Sequence, residues 1–435
     1  MNFKILFAFF LLLSGLSEVN AQEILTLEEA VRIALENNYE IKIAKNDLRI
    51  DQTSAVIGNA GILPTVTANV IDNNGIQNAS QTRIDGTQNS LDNARNNNLN
   101  YGVGLDWTVF DGFRMFARYD QLKALQKLGE AQLKLTIITK ISDVNETYFD
   151  LVQQQQQLAA LDSTIVISQQ RLQLAQNRFT IGKASKLEVL NAQVDINTDM
   201  TTLLKQQDLY ANTKVLLNQI LARESKINFK VIDNINVDTG LQLAELSTLA
   251  AKQNPQLQAQ VIAKRVSELQ LKQIKGVRFP TLSVNTGYNF AETQSSIGFT
   301  SQTSSRGLTY GFSASMNLFD GFSQNRTEKI AKIEIENSQL LIDQQKRALE
   351  SQLTTSYQTY LTNIKLIELE DKNEIIARQN LDITLEKFRI GTITTFEFRT
   401  AQLNYVNAKV RNSNAQYVAK LSEIALKELA GNLTF

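Results

Sequence analysis

The chain has 435 residues, with 44 Lys and Arg set against 44 Asp and Glu, so it carries no basic footprint for nucleic acid. Cysteine and histidine are both absent, which excludes disulfides, thiol chemistry, imidazole metal sites and a lipid anchor on an N-terminal cysteine. Only three prolines interrupt the chain, which leaves room for long unbroken helices. In chain order, Lys4, the apolar run Ile5–Leu13 and Ala21 before Gln22 have the layout of a secretory signal, assigned to residues 1–21. The run is too short to span a bilayer. No later stretch is apolar enough for a transmembrane helix, so any crossing must be made by a β-barrel.

A helix is expected from Leu27, with Thr26 as N-cap and Glu29 at the capping-box spacing. After Pro64, Thr65, Thr67 and Asn69 alternate with Val66, Ala68 and Val70. From Leu99 to Val109 the alternation is unbroken: Leu99, Tyr101, Val103, Leu105, Trp107 and Val109 share one face, with Asn100, Gly102, Gly104, Asp106 and Thr108 on the other. Period two is the mark of a strand. The Asn- and Gln-rich interval Asp72–Asn98 is expected to be a loop outside the cell. Arg114–Arg178 then holds one glycine and no proline, and Ile137, Val144, Leu151, Leu158, Ile165, Leu172 and Phe179 fall seven apart, with Ile141, Tyr148, Leu161 and Ala175 between. That heptad seam predicts one helix of about 65 residues, roughly 100 Å long. The Gln153–Gln157 run within it is expected to be a solvated face. A turn at Gly182 and a returning helix complete the half.

The second half repeats the first. Phe110-Asp111-Gly112-Phe113 recurs 209 residues on as Phe319-Asp320-Gly321-Phe322, and Phe179-Thr180-Ile181-Gly182 as Phe388-Arg389-Ile390-Gly391. Ala192-Gln193 and Tyr148 recur at the same offset as Ala401-Gln402 and Tyr357, whereas upstream Pro64 and Asn38 match Pro280 and Asn254, 216 residues on. Residues 22–222 thus form a first repeat, 223–245 an irregular joining segment and 246–435 a second repeat, whose opening helix is expected near Ser247. Its strand pair lies within 280–319, with Leu308, Tyr310, Phe312, Met316 and Leu318 on one face and a shorter loop at Glu292–Arg306. Its long helix runs from Ser323 to about Lys387 and carries Leu353, Tyr360, Ile367, Leu381 and Phe388.

Strands of about ten residues suffice to cross a bilayer when tilted. Tyr101, Trp107, Tyr288, Tyr310 and Phe312 fall on the apolar face, as interfacial girdles require, while the opposite face suits a watery lumen. Tyr101, Val103, Leu105, Trp107, Tyr310 and Phe312 are therefore the lipid-facing candidates. Four strands cannot close a barrel, and open edges are forbidden in lipid. Two chains would give eight strands and a filled interior, three would give twelve and an open pore.

These features together, above all the two strand-to-helix Phe-Asp-Gly-Phe junctions and the two Phe-x-x-Gly turns followed by Glu188 to Gln193 and Glu397 to Gln402, resemble TolC-like outer-membrane efflux proteins over nearly all of the mature chain. The resemblance implies a mainly α chain with a membrane β portion: a homotrimer whose twelve-stranded β-barrel continues into a long α-helical periplasmic barrel. It implies the outer membrane of a Gram-negative bacterium, with a periplasmic adaptor and an inner-membrane transporter as partners, and no cofactor or catalysis. No P-loop glycine motif is present, so energy would come from the transporter. By resemblance the turns at Gly182 and Gly391, with Phe179 and Phe388, dock the adaptor. Glu397, Glu188, Thr400 and Asn191 are the corresponding constriction candidates, and carboxylate rings there would attract cations. Where a member of the family has a latching tyrosine at the second turn this chain has Phe388, and Ile393 replaces an arginine, so Lys183, Lys186, Arg389 and Arg399 are the substitutes on offer. The competing reading of the residues is an exported coiled-coil tether that conducts nothing.

Overall fold

The computed structural model describes residues 23–433, and the signal read at 1–21 lies outside them. Strand β1 (Glu23–Leu25) leads into α1 (Leu27–Asn37), and Thr26 accepts the N–H of Glu29 at 3.1 Å as its N-cap. The single opening helix expected in each half is in fact two. Asn38 separates α1 from α2 (Tyr39–Ser54): its Oδ1 accepts the N–H groups of Glu40 and Ile41, and its Nδ2 donates to the Ile220 carbonyl at 2.8 Å. An asparagine that satisfies the backbone in this way competes with the continuing helix. The same device recurs in the second half, where Asn254 accepts from Leu257 and donates to Leu429. Helices α5 (Leu243–Gln253) and α6 (Pro255–Gly276) flank it, and α5 starts four residues before Ser247.

The remaining elements are β2 (Thr65–Thr82), β3 (Gln88–Phe110), α3 (Arg114–Thr180), α4 (Lys186–Ile220), β4 (Phe229–Val231), β5 (Thr281–Ser295), β6 (Gln302–Ser315), α7 (Ser323–Ile390) and α8 (Thr395–Ala430). Two compact units emerge. One takes its described residues from 23–45, 132–258 and 345–433, the other comprises 46–131 and 259–344.

The first unit is helical. The joining segment is less irregular than expected, because β4 pairs in parallel with β1, Leu25 opposite Val231. Leu25, Val31 and Ala34 pack with Ile141, Val144, Tyr148 and Leu151 of α3, and with Leu217, Phe229 and Ile424. Each valine, leucine, isoleucine or phenylalanine among them contributes roughly 1.5–3 kcal/mol when fully buried. The Tyr148 hydroxyl donates to the Leu25 carbonyl at 3.0 Å and accepts the Ile232 N–H, tying both short strands to α3. Its repeat mate Tyr357 donates to Leu241. The heptad seam is buried at Val144 and Leu151, half-buried from Leu158 to Leu172 and open at Phe179. The glutamine run is not the solvated face expected. Gln153 and Gln154 are buried, and their amides reach Asn414, Asp150 and Thr213. Burial of these amides is offset by the partners that their Nε2 groups find, while the Oε1 of Gln154 has none.

The second unit holds one antiparallel sheet in the order β2-β3-β5-β6. Its strands are longer than the hydrophobic alternation indicates. Most of Asp72–Asn98 is strand, paired from Asp72 opposite Leu99 to Thr82 opposite Gln88, and only 83–87 turn the chain. Likewise β5 continues to Ser295 and β6 begins at Gln302, so the loop read at Glu292–Arg306 shrinks to 296–301. Both faces of these extensions are polar, so no period-two signal survives there, yet backbone pairing persists. At its other end β6 stops at Ser315, so Met316 and Leu318 fall outside it.

Each Phe-Asp-Gly-Phe motif makes the sheet-to-helix junction. Gly112 and Phe113 are both left-handed (φ 76° and 65°), as are Gly321 and Phe322 (66° and 63°). Asp111 and Asp320 then accept N–H groups of the first helical turn, from Met115 at 3.2 Å and Gln324 at 2.7 Å. Gly112 also lies so close to the Gly276 carbonyl that a Cβ would fall 2.2 Å from its oxygen.

Candidate functional site

The first functional surface is the face of the sheet. Register places Val66, Ala68 and Val70 beside Leu105, Val103 and Tyr101, these beside Thr286, Tyr288 and Phe290, and Val284 beside both Trp107 and Phe312. The lipid-facing candidates therefore stand on one continuous face. Tyr101 stacks on Phe290 at 4.8 Å, and Tyr310 and Phe312 are 84% and 67% exposed. Trp107 donates its indole N–H to the Ile62 carbonyl at 2.9 Å. The opposite face presents Thr67, Gly102, Gly104, Asn285, Gly287 and Gly311. Strands β2 and β6 end the sheet with no outer neighbour among the described residues. No helix among those residues is long and apolar enough to cross a membrane.

The second surface is the end of the helices at the glycine turns. After α3, Gly182 (φ 76°) donates to Phe179 O and Lys183 to Arg178 O. After α7, Gly391 (φ 81°) donates to Phe388 O and Thr392 to Lys387 O. A left-handed residue that closes the last turn is the ordinary use of glycine past a helix end. Ser185 then caps α4 and Thr394 caps α8. Here the equivalence breaks down. Phe179 is 46% exposed, whereas Phe388 is buried and stacks on Phe398 at 4.9 Å, with Ile393 packed against them. A partner meeting these turns would touch Phe179, Ile181, Ile390 and Phe396, all exposed, and not Phe388.

The constriction candidates differ in setting. Glu397 completes a capping box: its carboxylate accepts the Thr394 N–H at 2.8 Å, and Thr394 accepts the Glu397 N–H in turn. That hydrogen bond from the Thr394 backbone, then the one from its hydroxyl, holds the Glu397 carboxyl below the usual range. Glu188 is more enclosed. It accepts the Thr395 hydroxyl at 2.8 Å from across the turns and faces Arg178 at 3.8 Å. Asn191 and Thr400 are exposed, and the Thr400 hydroxyl bonds the Phe396 carbonyl.

Sequence reasoning missed a polar network that joins α3, α4 and α8 behind these turns. Arg399 grips both oxygens of Asp199 at 2.7 Å, Ser168 donates to the same carboxylate at 2.6 Å, and Gln402 donates to Ser168 and the Thr164 carbonyl. Arg171 pairs with Asp195 beside it. Burial lowers the Arg399 pKa, but the Asp199 carboxylate more than compensates and raises it. Of the four proposed cationic substitutes only Arg399 enters this network, while Arg389 pairs with Glu386 on its own helix. The signal available was departure from the repeat: Arg171, Asp195, Asp199 and Arg399 correspond to Asn380, Asn404, Ala408 and Leu190.

Comparison with known proteins agrees with this geometry. The family model described as "Outer membrane efflux protein" matches residues 30–223 and 246–432, one segment per repeat. TolC of Escherichia coli is 21% identical over 265 residues, which cover 59% of this chain and 54% of TolC, so the chain aligns with about half of that relative's length. The protease secretion protein PrtF of Dickeya chrysanthemi is 18% identical over 94% of this chain and 88% of its own. Among solved structures, the outer-membrane channel OprN superposes with a TM-score of 0.78 at 17% identity, covering 93% of this chain and 90% of that one. The Campylobacter jejuni outer membrane channel CmeC gives 0.76 at 17%, covering 93% and 85%.

Proposed function

The chain belongs to the outer membrane efflux protein family, and we propose that it is one protomer of an exit channel in the outer membrane of a Gram-negative bacterium, serving an efflux pump or a type I secretion system. The observation that carries this reading is the open-edged four-stranded sheet, apolar and aromatic on one face, small and polar on the other. Unpaired edges are not tolerated in lipid, so copies must join β6 to β2. Three copies supply twelve strands around a watery lumen, with Val103, Leu105, Trp107, Tyr101, Tyr310 and Phe312 against lipid. The channel is passive. A periplasmic adaptor meets the turns at Gly182 and Gly391 through the exposed Phe179, Ile181, Ile390 and Phe396, and an inner-membrane transporter supplies the energy. Glu397 and Glu188, with Thr400 and Asn191, line the narrow end.

Reconstitution in planar bilayers tests this. The purified protein should be a trimer that conducts ions; a water-soluble monomer without conductance would support the envelope tether instead. Glu397→Gln removes the charge while keeping a side chain that can close the capping box. It should lower the cation preference of the conducting protein, and unchanged selectivity would move Glu397 out of the constriction.

A further inference from the structure

The apolar face of the sheet continues past its last hydrophobic row. By alternation, Asn74, Ile76, Arg95, Asn97 and Gln294 stand on the same face as Val70, Tyr101 and Phe290, at the end remote from the junctions into α3 and α7. These five residues line a hollow of about 630 Å³. Arg95 is exposed there: Ser296 holds its backbone N–H and carbonyl, but its guanidinium has no hydrogen bond or ion pair among the described residues. The carboxylates on this face do not claim it. Asp72 and Glu292 stand opposite Leu99, four residues and roughly 13 Å along the strand from Arg95. Asp72 accepts the Nδ2 of Asn74 at 3.1 Å, and Asp92, in the bulge beyond Arg95, makes no ion pair with it. Gln294 keeps its whole amide free.

The outer leaflet of a Gram-negative outer membrane is phosphorylated glycolipid, whose head of sugars and phosphates sits directly above the acyl layer. A planar guanidinium matches phosphate by paired, charge-assisted hydrogen bonds, and side-chain amides both donate to and accept from sugar hydroxyls. We propose that this hollow binds the head of one such glycolipid, with a phosphate on Arg95 and sugar hydroxyls on Gln294 and Asn97. Its acyl chains run down the same face over Val70, Tyr101 and Phe290. This site rests on the reading of that face as lipid-facing and adds to it a recognised lipid: the greasy rows hold any acyl chain, whereas the row above them selects the head.

The probe is lipid A bearing both phosphates, titrated into the detergent-purified full-length protein and followed by native mass spectrometry. Phosphatidylglycerol, an anionic lipid without the sugars, is the comparison. One retained lipid A per chain is expected, bound about tenfold more tightly, or 1.4 kcal/mol, than phosphatidylglycerol. Arg95→Gln should remove that preference. Arg118→Gln makes the same charge change at an exposed site in α3 and should leave it intact. Should Arg95→Gln fail to assemble, Gln294→Trp decides the matter, because it fills the hollow, keeps the guanidinium and should lose the preference too. Equal affinity for the two lipids, an unaltered preference in Arg95→Gln or Gln294→Trp, or an equal loss in Arg118→Gln would overturn the assignment. The same spectra report the oligomer. A monomer that retains neither lipid overturns the membrane reading and this site with it, while a trimer that binds both lipids alike overturns the glycolipid site alone.

Discussion

Gly112 and Gly321 occupy the same place in the two repeats and have the same left-handed backbone, yet a methyl group added to each should have unequal cost. Either alanine would meet the left-handed strain of an L-residue, about 1–2 kcal/mol. At Gly321 nothing lies within 4 Å of the position a Cβ would take, so that strain is the whole effect. At Gly112 the Cβ would sit 2.2 Å from the Gly276 carbonyl oxygen and 2.9 Å from the Phe279 Cβ, and the obstacle is backbone. Restoring an ordinary contact means moving that carbonyl by about 1 Å, an overpacking cost of about 1–3 kcal/mol. Gly321→Ala should therefore lose about 1–2 kcal/mol and Gly112→Ala about 2–5 kcal/mol. Unfolding of a large membrane assembly is commonly irreversible, so half-lives at one elevated temperature, followed by helical circular dichroism, are the suitable measure. The expected order is wild type, then Gly321→Ala, then Gly112→Ala. Equal half-lives for the two variants would refute the claim that the first junction needs glycine for close approach as well as for its backbone angle.

Breaking the Arg399–Asp199 pair, whose side chains are 12% and 8% exposed, should cost about 3–5 kcal/mol for either Arg399→Gln or Asp199→Asn. The double variant should lose less than the sum in the same thermal assay, and strict additivity would deny the coupling. Burial raises the Glu428 carboxyl above its usual value of 4.5, the Ser142 hydrogen bond opposes this, and Asp143 adds to the rise. The folded state thus disfavours the ionised form, so the contribution of Glu428 to stability is fully present below pH 4.5 and is lost as pH rises through the raised pKa. Glu428→Gln should outlast wild type at pH 7.5 and match it near pH 4; a constant difference across that window would count against the titration. Val103→Arg should destabilise the assembled protein by about 2–4 kcal/mol if its position is mid-bilayer and lower its yield, whereas a normal yield would take this face out of lipid.

Much of the architecture was legible because the chain states it twice. The paired Phe-Asp-Gly-Phe and Phe-x-x-Gly motifs mark the junctions and turns, and alternation from Leu99 to Val109 marks the core of β3. Legibility failed where the physical signal is weak. The outer half of the β2–β3 hairpin is wet on both faces, so pairing of Asn73 with Asn98 or Asn74 with Asn97 leaves no hydrophobic period. Asn38 and Asn254 were visible as a repeated residue, but their dual role as caps needs partners at Ile220 and Leu429, nearly two hundred residues away. Gln153 and Gln154 looked solvated because sequence shows the amide and not the Asn414 or Thr213 that satisfies it. Phe388 was paired with Phe179 by motif, and only packing separates the buried ring from the open one.

The one-sided polar network has a consequence for symmetry. Two repeats of one plan in each of three protomers, the assembly proposed above, would arrange six similar helical hairpins around an axis. Arg399 stands where the other repeat has Leu190, and Asp199 where it has Ala408, so the ionic tie between α4 and α8 within one chain would have no counterpart at the seams between chains, and the sixfold pattern would be reduced to a threefold one. Buried pairs are screened little by salt, and this one is 12% and 8% exposed, so the difference between alternate seams would persist at high ionic strength.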